Sequence, residues 1–173
     1  MPEIKYCPVC RAELQAQIVH SEKRLACSSE PSHYIHYDNP KPVVAAIVEY
    51  EGKLLLARNA NWPPTWYALI TGFLEKGEDP QEGVCREVKE EIGLDSTVES
   101  LVGVYPFPIR NELIIAYHVK ASGEIRLNHE IADTKLLAFE EAVPWPYATG
   151  DALRDWLRQQ GVLNNIDKTI KFY

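Results

Sequence analysis

The stretch from Gly72 to Leu94 constrains the fold of this chain more than any other part. Its sequence is GFLEKGEDPQEGVCREVKEEIGL, which holds seven acidic residues. Residues 72–79 include two glycines, which tolerate positive φ, and they predict a loop. Asp79 followed by Pro80 is typical of a helix N-cap and first helical position, and Gly93 is typical of a helix end. We therefore predict a helix from Pro80 to Ile92.

This helix carries two different faces. At 100° per residue, Glu87, Glu90 and Glu91 fall within one arc. The adjoining arc is apolar and is predicted to face the core, with an inert cysteine among its members: Val84, Cys85, Val88 and Ile92. Clustered carboxylates repel one another, but a hard cation such as Mg²⁺ or Mn²⁺ would turn that repulsion into binding. The alternative is a solvated acidic helix face.

The spacing of the stretch discriminates between these interpretations. Gly72 is followed by five residues, Glu78, seven residues, and then Arg86-Glu87-Val88-Lys89-Glu90-Glu91-Ile92-Gly93-Leu94. This resembles the Nudix box, G-x5-E-x7-R-E-U-x-E-E-x-G-U with U aliphatic, and every specified position matches. The resemblance implies an α/β fold, a Nudix-type α/β/α sandwich with a mixed sheet. It also implies hydrolysis of a nucleoside diphosphate linked to another group.

The resemblance also implies roles for individual residues. It assigns catalytic Mg²⁺ or Mn²⁺ to the carboxylates of the box, to a backbone carbonyl and to one later glutamate: Glu87, Glu90, Glu91, Gly72 and Glu130. Arg86 would pair with Glu78 behind the metal site and fix the loop against the helix. Glu130 is equally open to interpretation as an ordinary surface residue.

Three of the four cysteines lie near the N-terminus and predict a metal site. Cys7 and Cys10 form a C-x2-C pair, and Cys27 follows after 16 residues. A tetrahedral zinc site needs one more ligand, for which the candidates are His33, which we favour, and His36. The alternatives are reduced, buried thiols or a disulfide between the first two cysteines. Zinc here would be structural, because so short a segment buries little core.

Composition divides the chain into two predicted domains. Residues 1–38 are predicted to form the zinc ribbon and residues 39–173 the Nudix hydrolase domain. The prolines of Asp38–Pro42 predict a linker outside regular sheet pairing. After it, strands and helices interleave, which favours a mixed sheet covered by helices on both faces.

A ribbon joined to a Nudix box resembles the NADH pyrophosphatase group and the ribbon-bearing FAD and ADP-ribose pyrophosphatases. This implies a dinucleotide or ADP-linked substrate such as FAD, NAD(H) or ADP-ribose. The group's SQPWPFPxS array is only partly matched by residues 102–110, which keep its Pro-Phe-Pro, so the substrate class stays broad. Four aromatic residues are candidates for stacking a flat ring, with core packing as the alternative: Tyr105, Phe107, Trp66 and Trp62. We expect Tyr105–Pro108 to form a loop.

Charge and hydropathy limit the classes of partner that the sequence predicts. The net charge of −7 argues against nucleic acid or a membrane surface as a general partner. No apolar run approaches a membrane span and no signal-peptide core is evident, so a cytoplasmic location is expected. Alternative functions are a nucleotide-sensing or adaptor protein that uses the ribbon for partner binding, and an RNA-cap hydrolase. By analogy with ribbon-bearing relatives, a homodimer is expected, with contacts from the proline-rich segment near Trp145.

Overall fold

The computed structural model describes residues 4–29 and 33–162, which form two compact units, Met1–Asn39 and Pro40–Tyr173. The predicted domains 1–38 and 39–173 also contain residues 1–3, 30–32 and 163–173, which lie outside the described residues. The assignment of these domains as ribbon and hydrolase stays a prediction.

The first unit is a small antiparallel sheet. Its strands are β1 (Leu14–Val19), β2 (Glu22–Cys27) and β3 (Ile35–His36), in the order β1-β2-β3. The core of the unit is centred on Cys7, Leu14 and Cys27. Two of these three are cysteines, so apolar burial alone gives this unit little stability.

The second unit is built on a six-stranded mixed sheet. Its strands are β4 (Lys41–Tyr50), β5 (Lys53–Asn59), β6 (Ile70–Phe73), β7 (Asp95–Phe107), β8 (Glu112–Ser122) and β9 (Ile131–Leu137). The order is β7-β8-β4-β5-β9. Strand β6 pairs with the first half of β4, on the same edge at which β5 pairs with the second half. Strands β4 and β8 are parallel, whereas the other pairs are antiparallel. The predicted mixed sheet is confirmed.

Strand β4 supplies side chains to both faces of this sheet. Successive side chains of a strand point to opposite faces. One core joins alternate residues of β4 to helix α1 (Pro80–Ile92): Val44, Ala46, Val48, Val84, Val88 and Ile92. On the other face, two clusters join the remaining β4 residues to helix α2 (Thr149–Gln159): Val43, Ala45, Ile47, Ala152, Leu153 and Trp156. A helix covers each face, so the predicted α/β/α sandwich is confirmed.

Helix α1 has the predicted ends. The Asp79 side chain accepts a hydrogen bond from the Gln81 amide at 2.8 Å, which satisfies one of the free N–H groups of the first turn. Gly93 adopts φ 77°, a left-handed conformation that suits glycine, and its amide donates to the Lys89 carbonyl. The box glutamates are therefore held on a well-capped helix.

Two predicted irregular segments are in fact strand. The predicted linker ends early, because β4 already begins at Lys41, and Pro42 pairs in register with Leu113. Proline is tolerated near the start of a strand, and the Pro42 carbonyl still accepts from the Leu74 amide at 3.2 Å. The predicted loop at Tyr105–Pro108 is likewise wrong over its first three residues, which belong to β7. That strand lies at the sheet edge, where a missing N–H is tolerated.

Of the helices in the described part of the chain, none has both the length and the apolar character needed to cross a membrane.

Candidate functional site

Arg86 connects the carboxylates of the box. Its Nε donates to Glu78 Oε1 at 2.7 Å, and its Nη1 donates to Glu87 Oε1 at 2.8 Å and Glu90 Oε2 at 3.0 Å. Its Nη2 reaches Glu78 Oε2 at 3.2 Å and the Phe73 carbonyl at 3.2 Å. Hydrogen bonds from Arg86 and from the Glu75 amide lower the pKa of Glu78. This network joins the 74–79 loop to α1, in the arrangement that the resemblance to the Nudix box implies.

Gly72 provides the space that Glu87 occupies. The prediction of a loop at Gly72 is wrong, because the residue lies in β6 and pairs with Val44. A Cβ at this position would lie 1.8 Å from Glu87 Cδ. Glycine is therefore needed here for close approach, and the requirement for positive φ applies to Gly77, at φ 84°. Burial raises the pKa of Glu87 in spite of its bond to Arg86.

Glu91 is a buried carboxylate on the last turn of α1. It is 9% exposed, and among the described residues none donates a hydrogen bond to its side chain. Burial raises its pKa to about 8, and the negative charges of Glu87, Glu130 and Glu90 add to the shift. Burying a charge without a partner is costly, so this arrangement favours a proton or a cation at Glu91.

Glu130 lies beside Glu91, although 39 positions separate the two in the sequence. Both line a cavity of about 100 Å³, together with Trp62 and Thr71. Glu130 immediately precedes β9, and the pairing of β9 with β5 brings it to this side of the sheet. The structure therefore brings together the predicted metal-binding residues: Gly72, Glu87, Glu90, Glu91 and Glu130.

A larger cavity of about 890 Å³ adjoins this one. Trp62, Leu69 and Thr71 line both cavities and so form their shared wall. The remaining lining is rich in aromatic side chains. Phe107 and Trp66 are candidates for ring stacking from the sequence, whereas the other three are not: Tyr67, Trp145 and Tyr147. The Phe107 ring stacks against Tyr147, with centroids 6.0 Å apart and planes 13° apart. Nothing in the spacing of Tyr147 points to the cavity; it arrives there through the turn before α2.

The contacts of Tyr105 and Trp145 bear on the roles considered for them. Tyr105 is not among the residues that line the large cavity; its hydroxyl donates to Asp155 at 2.9 Å, and burial raises its pKa. Trp145 is only 7% exposed and packs in the core under α2. The Trp145 ring is therefore largely covered, and a homodimer with contacts from the proline-rich segment near it stays a prediction.

The first unit contains a separate candidate metal centre. The ligand atoms of Cys7, Cys10, Cys27 and His33 all lie within 4.8 Å of one another. Cys7 Sγ is 3.5 Å from His33 Nε2, and Cys10 Sγ is 3.5 Å from Cys27 Sγ. The cysteines are free, so the alternative of a disulfide does not hold. His36 lies in β3 with its Nε2 3.8 Å from Asp38, so His33 completes the set.

Hydrogen bonding favours the thiolate form of Cys10. The backbone amide of Ala12 and then the Ser29 hydroxyl lower the pKa of Cys10 to about 6. Metals bind the thiolate form of cysteine. Three sulfurs and one imidazole nitrogen are a donor set typical of structural zinc.

The pKa of Glu91 predicts an unusual pH dependence of stability. Without divalent cations, folded protein retains a proton on Glu91 up to about pH 8, whereas the unfolded chain releases it near pH 4.5. Between these two pH values the unfolded state binds fewer protons than the folded state. The free energy of unfolding should therefore fall as the pH rises from 4.5 to about 8, by an amount on the order of a few kcal/mol. Urea denaturation in EDTA at several pH values measures this slope. The Glu91→Gln variant should lose this contribution; an identical slope in that variant would assign the effect to other groups.

Comparisons with known proteins agree with this architecture. The NUDIX domain profile matches residues 39–159, more than half of the chain. NAD-capped RNA hydrolase NudC of Pseudomonas aeruginosa is 29% identical over 144 residues, covering 82% of this chain and 50% of the relative. ADP-ribose pyrophosphatase of Methanocaldococcus jannaschii is 40% identical over 90 residues, covering 51% and 53%. The chain thus spans about half the length of these curated relatives.

A solved structure covers the chain more fully. The NUDIX hydrolase from Nitrosomonas europaea superposes with a TM-score of 0.77 at 26% identity, covering 94% of this chain and 96% of that one. A UDP-X diphosphatase reaches a TM-score of 0.58 at 25% identity, covering 76% and 68%. The complete box, the sandwich that carries it and the profile match over residues 39–159 together place this chain in the NUDIX family.

Proposed function

We propose that this protein uses Mg²⁺ or Mn²⁺ to hydrolyse the pyrophosphate bond of a nucleoside diphosphate linked to another group. The observation that carries the proposal is the buried Glu91 carboxylate, which faces other carboxylates and receives no hydrogen bond from the described residues. A bound hard cation would offset the cost of burying this negative charge, because such cations prefer oxygen ligands.

The proposed metal ligands are the box carboxylates, Glu130 and the Gly72 carbonyl. The missing side chain at Gly72 supports this set, because any Cβ would occupy the place of the Glu87 carboxylate. When bound, divalent cations neutralise phosphate oxygens and lower the pKa of water. Arg86 would hold Glu87 and Glu90 in place, and Glu78 would hold Arg86 through two hydrogen bonds.

The two adjoining cavities support an elongated substrate. The pyrophosphate would lie toward Glu91 and Glu130, and a flat ring would lie in the aromatic cavity beyond Trp62. About 890 Å³ is enough for a nucleoside with a second large group. This supports FAD, NAD(H) or ADP-ribose as substrates, compounds of the class that the names of two relatives also indicate.

A second candidate substrate is capped RNA, which the names of several relatives favour. Lys5, Arg11 and Lys23 of the first unit are exposed and would offer phosphate contacts. The net charge of −7 opposes long RNA tracts, so this substrate stands second.

The decisive experiment is product chromatography after incubation with Mg²⁺ and then Mn²⁺. The substrates are FAD, NADH, NAD⁺, ADP-ribose, a dinucleoside polyphosphate, a nucleoside triphosphate and NAD-capped RNA. We expect AMP from the ADP-linked compounds and no product in EDTA. Binding of these nucleotides without turnover in either metal would contradict the proposal and favour a nucleotide-sensing protein.

Phe107 provides a test of the aromatic cavity. Replacing it with alanine should raise KM by about tenfold with little change in kcat, because stacking on one aromatic ring contributes about 1–3 kcal/mol. Tyr105→Phe is the matched control, since it removes the hydroxyl that bonds Asp155 without altering the cavity lining. If the control raises KM as much as Phe107→Ala does, the cavity is not the ring-binding site.

We also propose that Cys7, Cys10, Cys27 and His33 hold structural zinc. Purified protein should contain about one equivalent of zinc by mass spectrometry, because four such ligands complete a tetrahedral site. Cys27→Ser should lose it, and limited proteolysis should then cut within the first unit, whose apolar core is small. Cys85→Ser is the control, since Cys85 packs against the α1 core instead. Unchanged zinc content in Cys27→Ser would overturn the assignment.

A further inference from the structure

The segment before β9 is attached to the C-terminal end of helix α1. The last carbonyls of a helix lack partners within the helix. Here the Arg126 amide donates to the Ile92 carbonyl at 2.8 Å, and the Asn128 amide donates to the Glu91 carbonyl at 3.0 Å. The backbone of Asn128 is thereby tied to the same residue whose side chain lines the small cavity.

The Asn128 side chain then fixes the residues that follow it. Its Oδ1 accepts from the Glu130 amide at 2.8 Å and from the Ile131 amide at 3.2 Å, which forms an Asx-type turn. On its other side, Glu130 is held by the Ala60 amide, which donates to the Glu130 carbonyl at 2.7 Å. The backbone of Glu130 is therefore hydrogen-bonded at both its N–H and its C=O.

Glu130 needs this support more than the box glutamates do. Glu87, Glu90 and Glu91 are placed by the hydrogen bonds of α1, whereas Glu130 lies in an exposed connection. Ordering a flexible loop at the moment of binding costs conformational entropy, and a loop that is already ordered avoids that cost. Among the described residues, Asn128 is the one whose side chain accepts a hydrogen bond from the Glu130 amide.

We propose that Asn128 is a positioning residue of the metal site: it joins the end of α1 to the Glu130 backbone and so holds the Glu130 carboxylate beside Glu91. This inference rests on the proposed function, because it takes Glu130 to be a metal ligand. It assigns no contact between Asn128 and metal or substrate. The effect of Asn128 passes entirely through Glu130.

The test measures Mn²⁺ binding to the 173-residue chain by electron paramagnetic resonance of free Mn²⁺. Asn128→Ala should weaken binding about tenfold, the scale of losing a group that orients a ligand. Asn128→Ser should bind Mn²⁺ more tightly than Asn128→Ala, because a serine hydroxyl forms the same turn, although more weakly than asparagine does. Leu127→Ala is the control, since it alters the same exposed segment and leaves the turn intact. Thermal unfolding of each variant reports whether the fold is kept.

A double variant gives the sharpest outcome. In a Glu130→Gln background, Asn128→Ala should have almost no further effect on Mn²⁺ affinity, because the ligand it positions is already lost. Equal tenfold losses in both backgrounds would overturn the positioning role and indicate general loosening of the segment. If Glu130→Gln leaves Mn²⁺ affinity unchanged while Glu91→Gln abolishes binding, this inference fails and the proposed function stands. If Glu91→Gln also binds Mn²⁺ normally, the proposed function fails as well.

Discussion

Replacing Glu91 with glutamine is expected to reduce hydrolysis about a thousandfold, equivalent to roughly 4 kcal/mol of transition-state stabilisation. Glutamine keeps the shape of the side chain but removes the negative charge that would bind the cation. The same change should raise the thermal unfolding temperature of the metal-free protein at pH 8. In the wild type, folding at that pH forces part of the Glu91 population to be charged among Glu87, Glu90 and Glu130.

Glu82→Gln is the matched control for this experiment. It makes the same substitution on the same helix, at an exposed position in the first turn. We expect its hydrolysis rate to stay within about twofold of the wild type. Steady-state kinetics and calorimetry of both variants measure the two effects. Turnover by Glu91→Gln at the wild-type rate would contradict the proposed role of Glu91 as a metal ligand.

Gly72→Ala is expected to reduce hydrolysis at least about a hundredfold, through loss of a correctly placed ligand. The strand backbone at this position accepts alanine, because its φ is not positive. The new Cβ would overlap the Glu87 carboxylate, whose Cδ lies 1.8 Å from it. The end of a glutamate side chain can turn away, so the fold should survive while Glu87 leaves both Arg86 and the proposed metal site.

The companion variant for Gly72→Ala is Glu87→Ala. Once Glu87 is truncated, the atoms that clash with the new Cβ are gone, so adding Gly72→Ala should change Mn²⁺ affinity by less than about twofold. Titration of the two single variants and the double variant gives the coupling directly. Independent, additive losses would show that Gly72 acts on something other than Glu87.

The helix and its carboxylates could be predicted because their signals are local. Asp79, Pro80 and Gly93 define the ends of α1 by their own backbone chemistry, and a helix places residues three and four apart on one face. The position of Gly72 could not be predicted in the same way, because a glycine can be required for either of two structural reasons. One is a local need for positive φ, and the other is space for a side chain 15 positions away. Only the second applies, and a sequence pattern cannot separate them.

Features that depend on contacts between distant segments could not be predicted from local sequence patterns. Glu130 reaches Glu91 only because β9 pairs with β5, and Tyr147 reaches Phe107 only through the turn before α2. The resemblance to a known family suggested the first, and nothing suggested the second. Prolines at Pro42 and Pro106 pointed away from strands, but each occupies a strand position where a missing N–H is tolerated.

Successive residues of the central strand β4 pack on opposite faces of the sheet. Val44 and Ala46 support the helix that carries the carboxylates, whereas Val43 lines the aromatic cavity and Ala45 lies beneath α2. Both sets are almost fully buried, and close-packed interiors transmit even a one-methylene change to their neighbours. We therefore expect substitutions at the even positions to act first on the proposed metal site, and those at the odd positions to act first on the proposed ring-binding cavity.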